Sequence, residues 1–596
     1  DGGWIGNDAR DDLDAAYRFL REIEHRLQMV ADDQTHTLPS DREGLEHFAR
    51  FAGFKDRDAF AAKLVDHLRK VQRQYIKLFE FSASRAEELA LSFPEDTDDS
   101  DTLNRLGAMG YRQPLEVSAT VRRWLAGSYA SLRGEFSRKQ FSELVPVLLD
   151  RLARTESPEA ALNAFDRFIG GLNRGARLFS LLKQNPDLVT LVALTLGTAP
   201  RLADILSRYP EAIDALLEPS FFGALPDENK LASNLRGSLG EAQSYEDLLD
   251  RLRMFSQEQM FLVGARILSG TVSAEQAGGA FARLADVAIR ALHRQVEERF
   301  AEAHGRIRGQ KTALLALGKL GGREMTASSD LDLILIYDHE PGAEWSDGAR
   351  PLSIGQYYAR LTQRLIAAIS AMTGEGRLYD VDLRLRPSGN KGPVATHLDS
   401  FRSYHRESAW TWERLALTRG RVVAGDPDLV GEIFHAVRAI LCGRRDGAAA
   451  RADILDMRRR LLAELGGRGL WDLKHVRGGL VEIEFIAQGL QILHAAEHPA
   501  ILDQNTLAAL SRLAAAGLLA SSDHNVLNQA GQLYSRLTQL LRLCVAGRFE
   551  PAAAPEGLRR LVAQAAEAPD FNTAEVTVAD AQACVARLFD RLLGPV

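Results

Sequence analysis

Apolar residues recur at three- and four-residue steps along most of the chain, with charged residues filling the gaps. Between Leu13 and Met29, Ala16, Leu20, Ile23 and Leu27 form one such stripe, which predicts an amphipathic helix. Similar stripes run from Phe60 to Phe79, from Leu148 to Leu182 with a break near Pro158, and from Leu248 to Phe300. Stripes of this kind are the core-facing sides of helices rather than cofactor sites. The pattern changes between about 312 and 425. Thr312–Leu317 is a short apolar run bounded by Gly318, which predicts a buried strand. From Leu331 to Ile336 the chain is apolar on both faces, as a central strand requires. The expected fold is mainly α, with one α/β domain built on a small mixed sheet and flanked by helical bundles.

Polar interruptions divide this pattern. Ser92–Asp101 is acidic, contains Pro94 and has almost no apolar content, which predicts a domain boundary. Glu340–Pro351 and Phe549–Pro555 read as loops. The expected domains are a helical bundle over 1–91, a helical linker region over 102–300, an α/β domain over 301–440 and a C-terminal helical bundle over 441–596. A weak repeat joins the two ends. Tyr17, Leu20, Ile23, then Glu43-Gly44-Leu45 and Phe54 are echoed by Tyr534, Leu537, Leu540, then Glu556-Gly557-Leu558 and Phe571. This predicts a duplicated helical module at both ends.

Composition narrows the function classes. A chain of 596 residues should hold several domains. A hydrophobic share of 46% with 26% charged residues is that of a folded globular protein. The net charge of −7 argues against a broad basic face for nucleic acid. Val189–Leu196 is the strongest apolar run and soon meets Pro200 and Arg201, so no membrane span is expected. Cys442, Cys544 and Cys584 are odd in number and lack metal-ligand spacing, which suggests buried thiols in a reducing, cytoplasmic compartment. The chain starts at Asp1-Gly2-Gly3-Trp4 without a methionine or a signal-like segment, so a fragment or a trimmed chain is expected.

The candidate chemistry lies in the β-rich stretch. Gly321-Gly322 predicts a tight turn whose amides approach a phosphate. Asp330 and Asp332 follow at the head of a strand, where alternation puts both on one face. At about 4 Å and an effective dielectric near 20, two such carboxylates repel by about 4 kcal/mol. A divalent cation removes that penalty, and Mg²⁺ is commonly held by one or two carboxylates together with substrate phosphates. Arg377–Pro387 supplies a third acid. Read as a strand, it places Asp380, Asp382, Arg384 and Arg386 on one face. Three acids beside two arginines suit a two-metal, triphosphate-binding site.

Gly-Gly, a spacer and then Ser329-Asp-Leu-Asp-Leu333 resemble the DNA polymerase beta-like nucleotidyltransferase superfamily. Within it, several phrases resemble one family, the bifunctional glutamine synthetase adenylyltransferase/adenylyl-removing enzymes. They are Gly318–Thr326, Val381–Gly389, Ala409–Arg414 with Leu417–Arg419, Asp472–His475, Gly478–Phe485 and Asp33–Pro39, in the family's order. The resemblance implies a polymerase beta-like domain that moves AMP from ATP to a tyrosine hydroxyl of glutamine synthetase and releases pyrophosphate. It implies Asp330, Asp332 and Asp382 as Mg²⁺ ligands, with Asp382 assisting proton removal. Gly321, Gly322, Ser329, Arg384 and Arg386 would then serve the phosphates, although one arginine could instead pair with Asp380. It further implies PII signalling protein and glutamine as regulators, and neither nucleic acid nor membrane as partner. The family has an AMP-removing and an AMP-adding half. Here only one Ser-Asp-x-Asp occurs, so the chain resembles the tail of the removing half, the linker and the whole adding half. Residues 1–91 would be that tail, and the removing site is expected to be absent.

Other signals carry less. His494-Ala-Ala-Glu-His498 has zinc-peptidase spacing, but Pro499 follows at once. Gly318-Lys319 lacks the surroundings of a P-loop lysine. Trp410 and Trp412 suit packing or stacking on a base, and Glu482 and Glu484 either support the site from the helical domain or solvate a helix. The rival functions are a uridylyltransferase acting on PII protein, an RNA-tailing enzyme, which the acidic balance disfavours, and a non-catalytic helical scaffold.

Overall fold

A computed structural model describes residues 7–31, 38–39, 42–67, 70, 91–155, 157–173, 175–217, 221, 223–465 and 469–596. The chain divides into two compact units, residues 1–93 with 99–102 and residues 94–98 with 103–596. The first contains helices Asn7–Ala31 and Arg42–Phe51 and a further helix over residues 57–67. Ile23, Leu27, Phe48, Ala49, Ala52 and Phe60 form its core. The stripe predicted to run on to Phe79, and the phrase Asp33–Leu38, fall largely outside the described residues. The repeated positions behave differently at the two ends. Tyr17 is exposed, whereas Tyr534 is fully buried and donates its hydroxyl to the Gly478 carbonyl.

Among the described residues, the second unit is helical apart from one sheet and three isolated bridges. The Leu148–Leu182 stripe resolves into helices Glu135–Ala153, Pro158–Gly171 and Ala176–Gln184. The Leu248–Phe300 stripe becomes Tyr245–Leu268 and Ala274–His304. They part at Gly270, which takes a positive φ, and Ser273 with Gln276 closes a capping box on the second helix. No single helix among the described residues is long and apolar enough to cross a membrane, although the sharply bent pair Pro186–Thr198 and Pro200–Arg208 passes by length and composition together.

The sheet has five strands: β1 (Lys311–Ala316), β2 (Leu331–Asp338), β3 (Val381–Asp382), β4 (Ala395–His397) and β5 (Arg421–Gly425). Its order is β3-β2-β1-β5, with β4 also on β2. β1 runs antiparallel to β2 and β5, while β3 and β4 run parallel to β2. Leu333, Ile334, Leu335 and Ile336 are all buried, so the expectation of a central strand covered on both faces holds. The strand expected over Arg377–Pro387 does not extend that far. It ends at Asp382, because the Asp382 carboxylate accepts the Arg384 backbone N–H at 2.8 Å and turns the chain. Arg386 then bonds the Leu383 and Pro393 carbonyls, and Ser388 sits in the left-handed region. Strand alternation therefore does not align Arg384 and Arg386 with the acids.

Candidate active site

Three acids meet at one end of the sheet. Asp330 immediately precedes β2, Asp332 is its second residue, and the parallel register pairs Asp332 directly with Asp382. Two backbone bonds hold the arrangement: Leu331 N–H to the Asp380 carbonyl, and Leu317 N–H to the Asp332 carbonyl, each 2.9 Å. Asp332 is pushed up to about 6, first by burial and then by the charges of Asp330 and Asp382, with Arg419 and Lys474 opposing. Asp382 is shifted the other way. The hydrogen bond from the Arg384 guanidinium, 2.7 Å from Nε, holds its carboxyl below the usual range. Asp380 is bound by Arg377, not by Arg384 or Arg386.

The segment after β1 shapes the floor. Gly318 opens a single helical turn, Gly318–Gly321, with φ of 53°. A Cβ there would stand 2.0 Å from Asp332 Oδ2, so only glycine lets the backbone lie against that carboxylate. The first-turn amides of so short a helix have no intrahelical acceptor. Lys319 follows with an ammonium pushed down to about 8, mainly by burial and then by Lys474.

Several buried charges brace this turn. Arg421 on β5 forks onto Asp286 at 2.8 and 3.0 Å and also bonds the Leu320 carbonyl at 2.9 Å. Arg419, buried, bonds Glu324 on one side and Glu484 on helix Leu480–His494 on the other, the latter at 2.8 Å. Burial opposes the Arg419 charge, but the two carboxylates outweigh it. The Thr506 N–H donates to Glu324 at 2.6 Å, Asn505 to the Gly322 carbonyl at 3.2 Å, and Gln539 to the Met325 carbonyl at 2.8 Å. The C-terminal helical bundle thus holds the 322–325 loop from outside the sheet.

Four sequence-predicted phosphate contacts are placed differently. The Gly321 and Gly322 amides are bound to the Leu317 and Gly318 carbonyls. A Cβ at either glycine would strike Arg419, so the pair permits close packing against that residue. The turn beside the acids is Gly318-Lys319. Ser329 is buried, and its hydroxyl accepts the Thr326 N–H. Arg386 is buried on loop carbonyls. Arg384 is exposed and free to turn, apart from its bonds to Asp382.

Sequence reading missed the bracing roles of Asp286, Arg419, Arg421 and Glu324, although Arg419 lies in one of the family-like phrases. Glu484 does support the site from the helical domain, through Arg419. Glu482 is fully buried against Arg458 rather than solvated. Trp410 and Trp412 are exposed rather than packed, and Trp410 N–H is fixed by the Glu413 carboxylate at 2.8 Å. His494 ends its helix and His498 follows in a turn closed by its own N–H on the His494 carbonyl at 2.9 Å, with no third ligand grouped with the pair among the described residues.

Among the described residues, no three His, Cys, Asp or Glu side chains stand close enough to enclose a metal ion. The three acids therefore form an open site, with Asp382 turned onto Arg384. Hard oxygen donors at adjacent strand positions, one of them raised by its neighbours' charge, suit a divalent cation that takes its remaining ligands from phosphates. Asp330 and Asp332 would hold it, joined by Asp382 once Arg384 turns away.

Residues 189–435, which contain all three acids, match the family model described as glutamate-ammonia ligase adenylyltransferase. Residues 1–79 and 456–593 both match a second model, described as PII-uridylyltransferase. One helical family thus matches both ends, while the acidic site falls in the other. Among curated proteins, the chain is similar to three bifunctional glutamine synthetase adenylyltransferase/adenylyl-removing enzymes. It is 50% identical to that of Rhodopseudomonas palustris, 50% to that of Bradyrhizobium diazoefficiens and 51% to that of Xanthobacter autotrophicus. Each match covers 99% of this chain and 60% of the relative. The chain thus spans about 60% of the length of the curated relatives it matches.

Proposed function

Because the chain belongs to the family of the bifunctional glutamine synthetase adenylyltransferase/adenylyl-removing enzymes, we propose that its acidic site transfers AMP from ATP to a tyrosine hydroxyl of glutamine synthetase. The observation that carries this reading is the Asp332–Asp382 register beside Gly318, inside the segment that matches the adenylyltransferase model. The tyrosine oxygen attacks the α-phosphorus in line. A new P–O bond forms, the bond to the bridging oxygen breaks, and pyrophosphate leaves. Mg²⁺, bound at Asp330, Asp332 and Asp382, would screen the phosphates and favour the ionised phenol, whose free pKa is about 10.

The chain's own groups do the rest. Lys319 and the first-turn amides beside it meet the phosphates. Arg384, exposed and tied to Asp382, swings to the phosphates and frees the Asp382 carboxylate to take the phenol proton. The Arg419 and Arg421 braces keep Gly318 and Asp332 in register. With one Ser-Asp-x-Asp in the chain, we assign to it the adding reaction and not the removing one. PII protein and glutamine are the proposed regulators.

Incubation with ATP labelled at the α-phosphate, Mg²⁺ and glutamine synthetase tests this directly. Label fixed on the synthetase, and lost in Asp332→Asn, is the expected result. Preference for UTP with PII protein would transfer the assignment to the uridylyltransferase reading. Absence of transfer to either protein would leave the scaffold reading.

A further inference from the structure

Helix Leu398–Glu407 leaves the end of β4 and packs on β4 and β2. β5 opens at Arg421 opposite Ala316, at the same end of the sheet as the acids. The segment between them, 408–420, therefore crosses the acid end from the β4 side to the β5 side. It finishes at Arg419, packed against Gly321 and Gly322 beyond β1. It starts with Trp410 and Trp412, 66% and 38% exposed, although tryptophan is a residue that folded chains usually bury.

The pair is held in place. Trp410 N–H donates to the Glu413 carboxylate at 2.8 Å, and that buried carboxylate also accepts the Tyr404 hydroxyl at 2.8 Å. The Tyr404 hydroxyl lies against the Ser388 backbone, in the turn that follows Asp382. Lys391, exposed, belongs to the same turn, where its N–H donates to the Ser388 carbonyl at 3.1 Å. These contacts join the indoles to the β3 side of the site. The phosphate side is the opposite one, because Gly318-Lys319 follows β1 and Asp382 ends β3, with β2 between.

A protein that presents a tyrosine hydroxyl to Asp382 must rest the residues flanking that tyrosine on whatever borders the turn. On the AMP-transfer reading above, we propose that Trp410 and Trp412 are the docking face for that segment of the acceptor protein, and that Lys391 pairs with an acidic side chain beside the tyrosine. An indole offers a large rigid apolar face with one N–H for a partner carbonyl, and such residues dominate interface energies. The acids around the turn are already engaged: Asp380 by Arg377, Asp382 by Arg384, and Glu413 by Tyr404 and Trp410. Asp330 and Asp332 are assigned to the cation. Lys391 has no carboxylate partner among the described residues, so an acidic segment complements this edge better than a basic one.

Binding of glutamine synthetase to the whole chain without ATP, read by biolayer interferometry, tests this together with the KM for ATP from initial rates. Trp410→Ala and Trp412→Ala should each raise the Kd for the synthetase about 10-fold or more, and Trp410→Phe should recover part of the loss. The KM for ATP should move by less than about twofold. Lys391→Glu should raise the Kd roughly 3- to 10-fold at low salt, with the gap closing as ionic strength rises. Because both indoles are exposed, melting midpoints should stay within about 2 °C of wild type, which excludes loss of fold. No binding by the wild-type chain, a Kd unchanged in both tryptophan variants, or a raised KM for ATP with the Kd unmoved (an adenine stacked on the indoles) would overturn the proposal. Tryptophan-dependent binding without AMP transfer would sink the transferase reading alone, and transfer with an unchanged Kd in the variants would sink the docking face alone.

Discussion

Replacing Arg419 by methionine removes the one cation shared by Glu324 and Glu484. Burial leaves both carboxylates poorly hydrated, and breaking a buried pair by deleting one partner typically costs about 3–5 kcal/mol. Glu324 keeps its bonds from Thr506, so the lower half of that range is expected on its side, and Glu484 bears more. The loss should be local, because Gly321, Gly322, Arg323 and Glu324 are held by the short turn's own bonds, by Arg421 and by these braces. At 1.36 kcal/mol per decade, 3–5 kcal/mol corresponds to amide exchange about 10² to 5 × 10³ times faster across those four residues. Native-state hydrogen exchange is the assay, with AMP transfer measured in parallel. Arg419→Lys keeps the charge but not the two-sided fork, and should recover only part of the protection. Adding Glu484→Gln to Arg419→Met should restore part of it, with a coupling of roughly 1–3 kcal/mol. Unchanged exchange in Arg419→Met, or strict additivity in the double variant, would refute the brace.

Three further outcomes are expected. Gly318→Ala should reduce AMP transfer by at least about 10²-fold with the fold intact, since the added methyl meets Asp332 Oδ2; steady-state rates with circular dichroism check this. Lys319→Gln should raise the KM for ATP far more than it lowers kcat, read from initial rates, if that ammonium meets the phosphates in ground and transition states alike. His405, buried with both ring nitrogens unpartnered, is pushed down to about 4 by burial and then by Arg414. Its folded pKa lies below the unfolded value near 6.5, so its neutral burial is uncontested above pH 6.5. About 3 kcal/mol of stability should then be lost as pH falls towards 4. Denaturant titrations at several pH values should show a shallower acid-side loss in His405→Phe.

What was legible in the sequence was local. Period-3.6 stripes and the apolar run after Asp332 gave the helices and the central strand, because each pattern is written in consecutive residues. Asp330 and Asp332 are read at the head of such a run and Asp382 as a third acid expected on a neighbouring strand, and the register does pair Asp332 with Asp382. The misreadings came from non-local packing. Gly321-Gly322 looks like a phosphate turn until Arg419, about a hundred residues later, occupies the space beside it. Arg384 and Arg386 follow strand alternation on paper, but a single carboxylate accepting the Arg384 N–H ends the strand. Buried arginines such as Arg253, Arg421 and Arg458 carry no periodic signature, since their partners are carbonyls and acids far away in the chain.

The Gln539–Met325 bond spans 214 residues, and with Asn505, Thr506 and Glu484 it makes the helical bundle a co-owner of the 322–325 loop. The sheet is therefore not a portable cassette. A chain cut after residue 440 would retain Arg419 and Glu324 but lose Glu484, Thr506 and Gln539 together. The acids would still be adjacent in register, yet the loop that leads to them would have lost its outer wall. Grafting this chemistry onto another scaffold means carrying the bundle with it, and drift in either part must be matched by the other.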